Sequence, residues 1–183
     1  VVNMQDMFHR ASSFNQEIDD WNTSSVTNML GMFFRATAFN QAVGNWDTSA
    51  VTTLSNMFSH TNALSDTNKG LIHASFSSNS NWPYDWREYV VIDDTNFQTA
   101  VNLWFSNQAD ANATYGHIRD WNVTGVTDMS QAFHEKTSFD ENITAWDMSN
   151  VNDMYAMFWR AASFNQPIGD WDTSKVTNMS NML

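Results

Sequence analysis

Val26–Ser49 reads V-T-N-M-L-G-M-F-F-R-A-T-A-F-N-Q-A-V-G-N-W-D-T-S, and Val151–Ser174 reads V-N-D-M-Y-A-M-F-W-R-A-A-S-F-N-Q-P-I-G-D-W-D-T-S. The two segments agree at most apolar positions and lie on one grid. Val1, Val26, Val51, Val126, Val151 and Val176 recur with a period of 25 residues. Met4, Met29, Leu54, Met129, Met154 and Met179 follow three positions later, and Phe14, Phe39, Phe139 and Phe164 mark a second slot. A further row holds Trp21, Trp46, Trp121, Trp146 and Trp171. Self-similarity at a fixed short period marks an array whose copies bury their apolar faces against one another.

Composition agrees with that register. The 183 residues include 11 Met, 9 Trp and 13 Phe. Every Met except Met148 falls in two repeat slots, so the bias is a periodic core. With 20 acidic against 8 basic side chains the formal charge is −12, which repels phosphate backbones and argues against nucleic-acid binding. The absence of cysteine excludes disulfides and thiolate metal sites. No apolar run reaches the length of a membrane span.

Within a repeat, Val, Met, Met-Phe and Ala fall at i, i+3, i+7 and i+10, which predicts a helix of about ten residues. Ser24, Ser49, Thr124, Ser149 and Ser174 stand where N-caps belong. The stretch from the second Phe to the Trp predicts a turn and a short extended segment, pairing along one side of the stack. The fold class expected is therefore α/β, a leucine-rich-repeat-like solenoid with one short helix and one short strand per 25-residue repeat.

Residues 66–117 interrupt the pattern. Asp66–Phe76 predicts a helix with Leu71, Ile72 and Phe76 on its apolar side, and Trp82-Pro83-Tyr84-Asp85-Trp86 a compact aromatic turn. Thr95 with Gln98 fits a capping box ahead of Phe97, Val101, Trp104 and Phe105. The organisation expected is a first array over 1–65, a closing cap over 66–92, an entry cap helix over 93–117 and a second array over 118–183. The arrays form either two subdomains joined near Ile92-Asp93-Asp94 or one continuous stack. Both chain ends stand in phase with the repeat and read as uncapped, which allows self-association.

The consensus V-T-N-M-x-x-M-F-x-x-A-x-x-F-N-Q-x-I-x-x-W-D-T-S resembles the BspA-like leucine-rich-repeat proteins of bacterial cell surfaces and mycoplasma lipoproteins. It departs at Thr61 and Lys136, where the small Ala is replaced, and at Asn68, where the aliphatic residue is lost. The resemblance implies a leucine-rich-repeat fold, an extracellular, cell-surface location and adhesion, and no catalytic residues.

The polar slots allow two roles. Asn15, Asn40 and Asn165 fit a stacked ladder satisfying backbone groups, ahead of a ligand-binding row. The Trp row fits a core or rim ahead of a platform for sugars. Asp47, Asp147 and Asp172 recur beside the Trp, about 5 Å apart when stacked, which makes them weak calcium candidates, although Asx-turns explain them equally. The five His are scattered, with His9 and His134 sharing an outward slot, and no nucleophile, phosphate-loop or zinc motif is present. The expected role is a non-enzymatic module that binds a protein or polysaccharide. The alternative is a structural protein that self-associates into filaments or layers.

Overall fold

The computed structural model describes all residues, 1–183. The chain forms two units, Val1–Val90 and Val91–Leu183. Helix is confined to the segments outside the regular repeats: α1 (Asp66–Phe76), α2 (Phe97–Ser106) and α3 (Gln108–Tyr115), with single 3-10 turns at Arg87–Tyr89 and Ile118–Asp120.

The repeat itself contains no helix, which overturns the expected α/β class. From Met29 to Ala36 the amides alternate. Those of Met29, Gly31, Phe33 and Arg35 donate forward to the carbonyls of Thr53, Ser55, Met57 and Ser59 in the next repeat, at 2.9–3.1 Å. Those of Met32, Phe34 and Ala36 donate back three residues to Met29, Gly31 and Phe33. The amide of Leu30 goes to the Asn28 side chain at 2.9 Å. Each backbone donor is thus satisfied without an i→i−4 bond.

This alternation requires left-handed backbone at two places per repeat. Gly31 and Arg35 have φ of 59° and 58°, and the same slots are left-handed at Asp6 and Arg10, Asn56 and His60, Gln131 and Glu135, and Ala156 and Arg160. An α-helix admits neither. The stacking distance excludes it as well. Phe8, Phe33 and Phe58 lie in a column at 5.4 and 5.5 Å, with rings within 8° of parallel. Packed helices stand 8–10 Å apart.

The expected strand is absent too. Pairing is limited to isolated parallel bridges, four at the third residue of the repeats, Asn3↔Asn28↔Thr53 and Asp128↔Asp153↔Asn178, and one at Asp93↔Gly125. The stretch from Phe164 to Trp171 is irregular. The architecture is a stack of turn-built coils rather than a leucine-rich-repeat solenoid. Ser24 and its equivalents cap no helix; Ser24 instead bonds to Asn22 through both its amide and its hydroxyl.

In the first unit, Val26, Met29, Met32, Phe33, Ala36, Phe39 and Val43 are fully buried. The last coil ends against Trp82, Tyr84 and Trp86, whose rings lie 5.7–6.3 Å from Phe58. Tyr84 also completes the ladder, since its hydroxyl oxygen accepts from the Phe58 amide at 2.9 Å, where a further coil would offer a carbonyl. In α1, Ile72 and Phe76 are buried, whereas Leu71 is 52% exposed. Gly70 lets α1 approach the 3-10 turn; a Cβ there would stand 2.0 Å from the Tyr89 carbonyl oxygen.

The second unit repeats the device with different parts. Phe133 and Phe158 stack at 5.4 Å. From α2, Phe105 meets Phe133 and Phe139 edge-on at 6.3 and 5.7 Å, and Phe97 covers Trp146 at 6.0 Å. The helix begins at Phe97 after Asn96, and Thr95 bonds to Asp93 instead of capping it. Asp94 closes the polar edge. Its carboxylate accepts from the Thr127 and Asp128 amides at 2.7 and 3.0 Å and from the Thr127 hydroxyl at 2.7 Å. In regular repeats the Thr127 slot donates to a carbonyl 25 residues earlier, as Thr52 does to Thr27.

Phe33→Ala is expected to destabilise the first unit by about 3–5 kcal/mol in urea titration, because it empties the middle of the Phe column. Leu71→Ala is expected to change stability by less than about 0.5 kcal/mol.

Candidate functional site

The Asn slot works through one acceptor oxygen. Asn15 Oδ1 accepts from the Asn40 amide at 2.8 Å and from Gln41 Nε2 at 3.1 Å. Asn40 Oδ1 accepts from the Ser65 amide at 2.9 Å and from Asn68 Nδ2 at 2.8 Å. Asn68, which breaks the consensus by losing an aliphatic residue, thus takes the place of the Gln in this rung. In the second unit Asp140 Oδ1 plays the same part for the Asn165 amide and Gln166 Nε2, at 2.9 and 2.8 Å. Asp replaces Asn here because the slot needs no donor. The Gln166 carboxamide, followed by the Asn165 amide, holds the Asp140 carboxyl below its usual range. Asn165 lies exposed at the end of this ladder.

The Trp row lies inside. Trp46, Trp121, Trp146 and Trp171 are buried, and Trp21 alone is 38% exposed. Trp21 stacks on Trp46, and Trp121 on Trp146, each pair at 6.2 Å. Trp46 and Trp146 donate their Nε1 protons to Ile18 and Ile118 carbonyls at 3.0 and 2.9 Å, and Trp121 donates to Gly116 at 3.0 Å. Trp171 Nε1 is the one buried side-chain polar atom lacking a partner. Buried ring faces offer no platform to a ligand.

Asp47, Asp147 and Asp172 close Asx-turns. Each Oδ1 accepts from the amide two residues on, at Ser49, Ser149 and Ser174, at 2.9–3.0 Å. The hydroxyl and amide of Ser49 lower the Asp47 carboxyl, those of Ser149 lower Asp147, and the Ser174 amide and hydroxyl lower Asp172. Asn22, Asn122 and Asn142 make the same turn without charge. No three His, Asp or Glu side chains converge as a cation cage would require.

The remaining recurrent features lie on the outside of the stack. The ninth and tenth residues of each repeat point outward in register. His9 stacks on Phe34 at 5.0 Å, and His60 meets Phe34 edge-on at 5.5 Å. In the second unit His134 lies parallel to Trp159 at 4.9 Å, Arg160 covers that ring at 4.2 Å, and Arg160 pairs with Glu135 at 2.9 Å. The shared slot of His9 and His134 was the one sequence sign of these rows. A separate polar groove of about 560 Å³ lies between residues 47–52 and 75–81. Asn79 Nδ2 forms part of its wall by donating to the Thr48 and Val51 carbonyls at 2.7 and 2.9 Å. It went unread because Asn79 lies off the repeat grid.

His73 is buried, and its Nδ1 accepts from Trp82 Nε1 at 2.9 Å, a structural bond within the aromatic closure. No helix is long and apolar enough to cross a membrane.

The sequence matches the family described as Mycoplasma protein of unknown function, DUF285, over residues 1–83 and 93–183. No curated protein and no solved structure matches it.

Asn40→Ala is expected to cost about 1–3 kcal/mol in chemical denaturation by orphaning the Ser65 amide, whereas Asn40→Asp should keep most of that stability at neutral pH. The lowered carboxyls, among them Asp140 and Asp85, set the acid response. Arg87 holds Asp85 down to about 2. A depressed carboxyl contributes stability above its unfolded value and loses it as pH falls through the folded one. Melting temperature should therefore stay flat down to about pH 5 and fall between about pH 4 and pH 2.

Proposed function

The chain belongs to this family of Mycoplasma proteins of unknown function, and from that premise we propose that it is a non-enzymatic binding module of a cell surface, engaging a protein or polysaccharide through the outward rows of its stacked repeats. One observation carries the proposal: the register aligns the ninth and tenth residues of successive coils into outward columns, the ninth half-buried or exposed and the tenth exposed, as at His9–Phe34 and His134–Trp159. An extended face that grows with copy number suits adhesion.

The distribution of polar residues supports the same view. Side chains that recur from copy to copy are engaged in the fold: Asn15 and Asn40 in the ladder, Asp47 and Asp147 in turns, Trp46 and Trp146 in the core. The outward slots differ between copies, holding His, Phe, Ser or Trp at the ninth place. Constant residues build the scaffold, and variable exposed ones carry specificity. The resemblance of the consensus to BspA-like surface repeats adds the extracellular setting and the adhesive role.

The test is a binding panel of the intact chain against immobilised matrix proteins and polysaccharides, with and without chelator, alongside sedimentation. Saturable binding by a monomer to at least one member is expected. No binding to any member, with sedimentation as large assemblies, would replace adhesion by self-association. Chelator is expected to leave the melting temperature unchanged, because Ser donors already engage Asp47, Asp147 and Asp172.

A further inference from the structure

The tenth slot differs between the units in a way that neither fold nor core packing explains. In the second unit it holds Glu135 and Arg160, which neutralise each other at 2.9 Å. In the first unit it holds Arg10, Arg35 and His60, all exposed. Arg10 and Arg35 belong to no ion pair, although acidic side chains outnumber basic ones 20 to 8 in the chain. The nearby Asp6 carboxylate pairs with His9 at 3.1 Å.

These three residues are held in line. The Arg10 amide donates to Phe34 at 2.7 Å and the Arg35 amide to Ser59 at 2.9 Å, so residues 10, 35 and 60 occupy one slot of successive coils. All three are left-handed, with φ of 58°, 58° and 62°. Neither Arg nor its long side chain favours that backbone, and Gly or Asn would relax it. Phe34 stands between them, with the Arg35 guanidinium 5.4 Å from its ring and His60 at its edge.

We propose that Arg10, Arg35 and His60, with Phe34, form a binding row for a linear anionic polysaccharide, one whose successive sugars carry carboxylate or sulfate groups. The proposal rests on the binding-module reading and names its ligand and face. Charge complementarity is local: at physiological salt the Debye length is about 8 Å, so carboxylates farther from the row than that contribute little to its field. Guanidinium groups present a fork that matches carboxylate or sulfate oxygens in pairs. The pitch of the row follows the Phe column beneath it, 5.4 and 5.5 Å.

The test titrates the intact chain with heparin and with polygalacturonate, using neutral dextran and polyglutamate as comparisons. Wild-type chain is expected to bind at least one of the anionic polysaccharides, more weakly as salt rises, and to ignore dextran. Arg10→Gln with Arg35→Gln should lower that affinity at least tenfold, whereas Arg119→Gln, at an exposed residue outside the outward rows that pairs with Asp120 at 3.3 Å, should change it less than twofold. Amide shift mapping on the wild-type chain gives a second readout independent of how the variants fold. Perturbations clustered at residues 9–10, 34–35 and 59–60 support the row. Undiminished binding by the folded double variant, perturbations elsewhere, stronger binding of polyglutamate, or no binding to either polysaccharide would each overturn it. In each case retained binding to another panel member would leave the module itself standing.

Discussion

Phe33 donates its backbone proton to Met57, 24 residues ahead, and its neighbours Gly31 and Arg35 do the same toward Ser55 and Ser59. Because alternate amides leave the local chain, the coils are held at the distance of a hydrogen-bonded ladder. That spacing places Phe8, Phe33 and Phe58 face to face, and Phe133 on Phe158. It also imposes left-handed backbone on Arg35 and Glu135, residues without intrinsic preference for it. A ladder of this kind must end somewhere. The Tyr84 hydroxyl and the Asp94 carboxylate each supply an oxygen where another coil's carbonyl would stand.

The period and the buried set were legible from residue types alone. Met29, Met32, Phe33 and Ala36 all face inward, as their i, i+3, i+4, i+7 spacing implies. Helix was the wrong conclusion from a correct pattern. Successive turns closed by i→i−3 bonds bring nearly the same residues to one side as a helix does, and periodicity does not separate the two. The discriminating sign is left-handed backbone, which Gly31, and less plainly Asp6, Asn56 and Asn181, mark in one slot; Gln131, Ala156, Arg35 and Arg160 conceal it. The length of α1 was readable because Ser65 caps it and its composition changes there, yet Leu71 turned outward. Asp94 and Tyr84 occur once each, and a residue that acts by replacing a missing coil leaves no periodic trace.

The candidate site shows the same division. Recurrent Asn, Asp and Trp invite a functional reading because they repeat, but they repeat because every coil needs the same bonds. Asn15 and Asn40 tie one coil to the next, Asp47 and Asp147 close turns, and Trp46 and Trp146 reach back to a carbonyl. Interchange of Asn40 with Asp140 in the ladder is the chemical signature of a structural acceptor. The outward positions vary, with Arg10, Arg35 and His60 in one unit and a Glu135–Arg160 pair in the other, and the proposed ligand contacts fall to them.

The conformation of the repeat decides all of this, and it is open to direct measurement. Through-hydrogen-bond scalar couplings between amide nitrogen and carbonyl carbon identify each acceptor individually. Coupling from Phe33 nitrogen to the Met57 carbonyl, and from Phe133 to Met157, is the result the stacked-turn structure predicts. Coupling from Phe33 to the carbonyl of Met29, four residues back, would mean a helix in the repeat and would contradict it.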